Sequence, residues 1–229
     1  AAWKQTFDEY LRRKAQQDGT AFVPFDDHDD YDNYVDGRPR ADGVRTFLAS
    51  RHIELPEGSP DDAPDRDTIF GIGNRKNDLV LEKIRTVGVD AYEGSVRYLQ
   101  AAERAGLRRA VVSASANCAD VLRSAGIERY LEVRVDGVVL DQKHLAGKPA
   151  PDSFLAAAQE LRVEPAQAAV FEDALSGVEA GRAGGFGAVI GVDRVGQAEA
   201  LSQHGATRVV QDLAELLDEP NGPGLRQQP

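Results

Sequence analysis

The sequence contains no methionine and a single cysteine, Cys118, and its 27 basic residues fall short of its 38 acidic ones. One cysteine excludes an internal disulfide framework. The resulting net charge of −11 repels nucleic acid and anionic lipid over most of the surface, so an anionic substrate must be met by a local cluster of positive groups. No apolar run approaches the roughly 20 residues that cross a bilayer, and no secretory signal is visible. A cytoplasmic protein, with neither a nucleic-acid nor a membrane partner and monomeric by default, is the expectation. The chain opens on Ala1-Ala2-Trp3-Lys4, which already reads as the inside of a helix, and further residues are expected ahead of it.

At 229 residues the chain is long enough for one large domain or two unequal ones. Residues 1–88 read as a small helical domain, with Trp3, Phe7 and Leu11 four apart and Val44, Phe47 and Leu48 repeating the pattern. Polar stretches at 25–36 and 55–67 interrupt it as loops. From about residue 89 short apolar strands alternate with helices. Strands are expected at 107–112, 130–135, 168–171, 188–190 and 208–210, with helices near 94–105, 117–125, 151–162, 175–183, 196–203 and 212–217. This alternation predicts an α/β unit over 89–218, a Rossmann-like, doubly wound and mostly parallel sheet with helices on both faces. The tail 219–229 is expected to be flexible.

In such a sheet ligands bind where the strands end, and three ends carry suggestive chemistry. Val112-Ser113-Ala114-Ser115-Ala116-Asn117 runs from a strand into a helix start. Hydroxyls and backbone N–H groups there can cradle a phosphate, although Ser115 or Asn117 would equally serve as a plain helix cap. Gly147-Lys148-Pro149-Ala150-Pro151 holds a lysine in a stiff frame, suited to a cation that must point one way; the competing reading is a surface lysine. Val170-Phe171-Glu172-Asp173 delivers two adjacent carboxylates, hard oxygen donors of the kind magnesium takes one or two of, or else a capping acid beside a solvated one. In this order the three supply cradle, cation and metal, the parts that phosphoryl transfer needs.

Ser113, Lys148 and the pair Glu172-Asp173 resemble the Ser/Thr, Lys and acidic motifs of the haloacid dehalogenase superfamily, and residues 1–88 resemble the helical cap of its β-phosphoglucomutase-like branch. The resemblance implies phosphoryl transfer on a hexose phosphate, a small-molecule partner, by a phosphomutase that works through a bisphosphate and an aspartyl-phosphate enzyme. It implies Mg²⁺ at Glu172 and Asp173, and glucose 1,6-bisphosphate as activator or intermediate. Ser113 and the Ala114 N–H would hold the transferring phosphoryl group, with Lys148 offsetting charge. Ser115 and Asn117 would hold the second phosphate. Asp36-Gly37-Arg38-Pro39-Arg40 and Arg75-Lys76-Asn77-Asp78 are similar to the cap segments that grip that phosphate and face the sugar, which points to Arg40 and Lys76.

A mutase binds a phosphate at both ends of the sugar, whereas a phosphatase needs one such site, so a second set of cations favours the mutase. A sugar-phosphate phosphatase of the same superfamily and a non-catalytic sugar-phosphate binder are the alternatives. The chain departs from the pattern in one respect. No Asp-x-Asp-Gly motif precedes Ser113. Asp26, Asp27, Asp29 and Asp30 follow no apolar strand and read as a solvated loop, and Val135-Asp136-Gly137-Val138 comes after the serine motif. The family's nucleophile strand lies inside the sheet, and its loss would leave neighbouring edges unpaired, so about 20 or more residues carrying it are expected ahead of Ala1.

Overall fold

Apolar residues at helical spacing build the first unit. In a computed structural model, which describes residues 2–217, the chain divides into two compact units, Ala1–Gly88 and from Val89 onward. The first consists of α1 (Ala2–Asp18), α2 (Asp29–Tyr34), α3 (Arg40–Ser50) and α4 (Ile69–Thr86). Trp3, Phe7 and Leu11 lie one turn apart on α1. Phe7 is fully buried against Phe25 and Phe47, with ring centroids 5.1 and 4.2 Å away, and Val44, Leu48, Ile69 and Ile72 close the same core. Thr68 starts α4: its hydroxyl accepts from the Gly71 N–H at 2.9 Å and donates to Asp62 at 2.7 Å.

The expected loop at 25–36 contains α2. Asp26 accepts from the N–H groups of His28 and Asp29, which fixes the turn that starts this helix. Asp30, expected to be solvated, is buried and paired with Arg51, an outcome set by a partner 21 residues away.

The second unit runs α5 (Glu93–Arg104), β1 (Ala110–Val112), α6 (Cys118–Ser124), β2 (Val133–Val135), α7 (Gly137–Gln142), α8 (Asp152–Leu161), β3 (Ala169–Glu172), α9 (Leu175–Ala183), β4 (Ala188–Val192), α10 (Ala198–His204) and β5 (Arg208–Val210). Every strand pairing is parallel: Val112 lies opposite Val135, Glu172 opposite Gly191, and Val192 opposite Val210. The expected helix at 212–217 is a 3₁₀ turn, Leu213–Leu216, closed by a capping box between Asp212 and Glu215. The 130–135 strand is shorter than expected because Glu128–Tyr130 forms a 3₁₀ turn. Helix α7 was not anticipated. Asp136 starts it by accepting from the N–H groups of Val138 and Val139, which is the role of the Val135-Asp136-Gly137-Val138 stretch. The tail 219–229 lies outside the described residues.

The parallel sheet is in two pieces, β1-β2 and β3-β4-β5. Consecutive residues of a strand face opposite sides, and the helices on both sides span the two pieces. On one face Phe154 of α8 packs on Val170 of β3 and Val112 of β1. On the other, Tyr98 of α5 lies 5.2 Å from the Phe171 ring, and Gln100 of the same helix donates to the Tyr130 hydroxyl beside β2. Among the described residues β1 has only β2 as a strand partner and β3 only β4, so each keeps an edge of unpaired backbone groups.

Candidate active site

The loop after β1 is shaped by its own hydroxyls. The Ser113 N–H donates to the Val135 carbonyl at 3.0 Å, which carries the β1-β2 ladder to its end. Ser113 Oγ accepts from the Ser115 N–H at 3.1 Å, and Ser115 Oγ from the Asn117 N–H at 3.2 Å. Each serine thus fixes the next turn of backbone. Asn117 stands at the N-cap position of α6 but makes no side-chain cap bond there. Gly137, two residues beyond the end of β2, is pressed against this loop: a Cβ at that position would lie 2.7 Å from the Ala114 carbonyl oxygen and the Ala116 nitrogen. Only glycine allows that approach.

Lys148 lies in the loop leading into α8, and Glu172 is the last residue of β3. Lys148 Nζ donates to Glu172 Oε2 at 2.7 Å, with side chains only 7% and 9% exposed, and sits 5.0 Å from the Phe154 ring centroid. The Lys148-Pro149 peptide is cis. Burial pushes the Glu172 carboxyl above its ordinary range, opposed by the Lys148 ammonium and by the Ala174 N–H, which donates to Oε1. Gly177 makes room for that carboxylate, since a Cβ there would fall 2.2–2.4 Å from it. Asp173, the next residue, is exposed, and its backbone carbonyl accepts from the Gln197 side chain at 2.9 Å.

Two consecutive carboxylates, one exposed and one buried, fit a hard divalent cation, which takes one or two protein carboxylates and completes its shell with water and phosphate. Among the described residues no group of three or more His, Cys, Asp or Glu side chains is gathered for a metal. Asp173 is the open donor of the pair, while Glu172 is already engaged by Lys148.

Within the helical unit the two expected cations come together. Arg40 starts α3 and donates to Asn74 Oδ1 on α4 at 3.0 Å. Its stem fills the space left by Gly73, where a Cβ would meet it at 3.3–3.5 Å. Lys76, one turn on from Gly73, holds its Nζ 4.9 Å from the centroid of the Trp3 ring. Neither Arg40 nor Lys76 forms an ion pair among the described residues. Burial, then the neighbouring Arg40, pushes the Lys76 ammonium down to about 8. Burial also lowers Arg40, against the opposing pull of Asp78.

The structure therefore joins Lys148 to Glu172, links Ser113, Ser115 and Asn117 through one loop, and sets Arg40 beside Lys76. Of the supporting residues, Trp3 was expected only as an apolar residue of a helix and Gly177 only as a small residue that lets a helix pack close, while Asn74, Phe154 and Gln197 were not anticipated. Gly137 left a trace in the sequence as the glycine next to Asp136 at a strand end.

A family described as haloacid dehalogenase-like hydrolase matches residues 8–185. The chain belongs to this family. This haloacid dehalogenase-like chain is 57% identical over 219 residues to the β-phosphoglucomutase of Mycobacterium bovis, a match covering 94% of this chain and 84% of that protein. Identity and coverage are the same for the β-phosphoglucomutase of Mycobacterium tuberculosis. The crystal structure of a β-phosphoglucomutase from Clostridium difficile matches with a TM-score of 0.74 at 20% identity, over 94% of this chain and 85% of that one. At that identity the structural likeness speaks for the fold.

Proposed function

We propose that the chain carries out the β-phosphoglucomutase reaction, moving a phosphoryl group so that β-glucose 1-phosphate becomes glucose 6-phosphate through glucose 1,6-bisphosphate. The observation that carries this reading is a second cationic site, Arg40 with Lys76, in addition to Lys148. A hexose bisphosphate presents two anions, and one cluster of positive groups in so acidic a chain does not serve both. The 57% identity to mycobacterial phosphomutases over nearly the whole chain supports the same choice. It makes the chain an enzyme rather than a non-catalytic binder and favours the mutase over the phosphatase.

In this reading Ser113 and the Ala114 N–H hold the transferring phosphoryl group, and Lys148, fixed by Glu172, offsets its charge. Ser115 and Asn117 are read as phosphate holders within the second unit, and in the helical unit Arg40 is read as a phosphate-binding cation and Lys76 as the residue that faces the sugar. Asp173, the open carboxylate, is the residue that would hold Mg²⁺, with Glu172 beside it holding Lys148, and the ion when bound would screen the phosphoryl oxygens. Exclusion of water lets the enzyme-bound phosphoryl group pass to sugar rather than to water. The nucleophile is read as an aspartate on a strand completing the sheet between β1 and β3, a reading supported by the unpaired edges and the helices that span them. No helix among the described residues is long and apolar enough to cross a membrane, and the enzyme is read as a cytoplasmic monomer with a small sugar phosphate as its partner.

A ³¹P NMR time course on protein from the complete gene, with β-glucose 1-phosphate, Mg²⁺ and a trace of glucose 1,6-bisphosphate, tests the reaction. Growth of glucose 6-phosphate without free phosphate is expected; free phosphate alone would refute the mutase. Mapping the phosphorylated residue by mass spectrometry tests the strand, because phosphate on any aspartate within residues 2–217 would contradict it.

A further inference from the structure

The pairing of Arg40 and Lys76 has a chemical corollary outside the mutase reaction. A lysine is ordinarily unreactive because it is protonated and solvated, and a buried lysine is ordinarily held charged by a carboxylate. Lys76 has neither protection. Its amine lies against the face of Trp3 from α1, the charged neighbour from α3 is another cation, Arg40, and no ion pair engages it among the described residues. Asp78 acts on Arg40 rather than on Lys76. The Arg40 guanidinium, anchored by Asn74 in the slot over Gly73, is a planar donor suited to a phosphate.

We propose that Lys76 is a self-acylation site, modified by small acyl phosphates whose phosphate is held by Arg40 while the Lys76 amine attacks the acyl carbon. The Nζ lone pair forms the C–N bond, the C–O bond to phosphate breaks, and phosphate leaves with that electron pair. The surplus proton on nitrogen passes to solvent. The products are an N-acyl-lysine and inorganic phosphate, so no further reactant is needed. An amine displaced from its ordinary 10.5 to about 8 is unprotonated in about a quarter of molecules at pH 7.5, against about one in a thousand for an ordinary lysine. The lower basicity returns part of that gain through weaker nucleophilicity, and a net preference of at least about tenfold remains. Acylation removes a cation assigned above to the sugar, so the modified enzyme would be impaired, but the modification itself is read without assaying turnover.

The test is incubation of the protein with acetyl phosphate, followed by peptide mass spectrometry across the pH range. Lys76 should be acetylated at least about tenfold faster than the exposed Lys83 and Lys143, with a rate that levels off above about pH 8. Inorganic phosphate should slow it, and Arg40→Gln should abolish its lead with acetyl phosphate while leaving Lys76 reactive to acetic anhydride. Equal rates at Lys76, Lys83 and Lys143 would overturn the proposal. So would a lead that survives both excess phosphate and Arg40→Gln, because the amine would then be reactive without an acyl-phosphate site.

Discussion

Two lysines, one in each unit, show how burial can serve opposite ends. Lys148 is enclosed with a carboxylate 2.7 Å away and an aromatic ring beneath it; its charge is compensated and its direction fixed. Lys76 has the aromatic ring but, in place of the carboxylate, a second cation. The first arrangement makes a rigid positive point next to a strand end, the second a site short of negative charge. A phosphate-binding surface gains most from cations that the protein leaves uncompensated, and a phosphoryl-transfer centre gains most from a cation that cannot move.

The comparison breaks most readily at Lys148. Lys148→Met leaves Glu172 buried without its partner, and a loss of about 3–5 kcal/mol in denaturant unfolding is expected. The double variant Lys148→Met, Glu172→Leu should recover much of that loss, since both charges are then gone. A double variant no better than the single one would mean that the pair is not coupled. In the helical unit the comparable loss comes from packing: Phe47→Ala, which empties the centre of the Phe7-Phe25-Phe47 cluster, should also cost about 3–5 kcal/mol.

A smaller effect is expected at Gly177. A methyl group there meets the Glu172 side chain, so Gly177→Ala should destabilise by about 1–3 kcal/mol and lower activity by turning Glu172 away from Lys148. Unchanged activity would show that the slot is not needed.

The smallest expected change is opposite in sign. The folded protein releases the Lys76 proton at about 8, an ordinary lysine at 10.5. Between these values the unfolded chain binds more protons, so this residue makes stability rise with pH there, and its penalty is fully present below about pH 8. Lys76→Met should therefore stabilise the protein by about 1–2 kcal/mol at pH 7, less than the full shift because the ammonium stays partly solvated. It should also flatten the rise between pH 8 and 10.5 and raise KM for the sugar phosphate. A variant that is less stable at pH 7 would place Lys76 in an ordinary, compensated setting.

The Ser113 and Glu172-Asp173 motifs were legible in the sequence because each is local, an apolar run followed at once by its polar residues. The helical character of residues 1–88 was legible for the same reason, from the spacing of Trp3, Phe7 and Leu11. Lys148, expected at a strand end, instead follows helix α7 in the loop into α8, a placement set by the short helix that periodicity does not announce. What escaped is carried by contacts distant in sequence. Glu172 reads as an open ligand until Lys148, 24 residues earlier, is seen to hold it. Asp30 reads as solvated until Arg51 reaches it. Asp136 resembled half of a catalytic motif, and its capping of α7 depends on a helix too short to announce itself by periodicity. The lack of an Asp-x-Asp-Gly motif ahead of Ser113 was visible in the sequence, and among the described residues β1 and β3 each have one strand partner.

The most direct test of the two-site account is the partition of product in an Arg40→Ala variant expressed from the complete gene. Glucose 6-phosphate and inorganic phosphate would be quantified by ³¹P NMR from β-glucose 1-phosphate in the presence of Mg²⁺ and the bisphosphate. Loss of a charge-assisted phosphate contact of about 1.5–3 kcal/mol predicts mutase flux lowered about 10–100-fold, with phosphate release a larger share of the product. Mutase flux equal to that of the unaltered enzyme would contradict the account, because Arg40 would then play no part in holding a second phosphate.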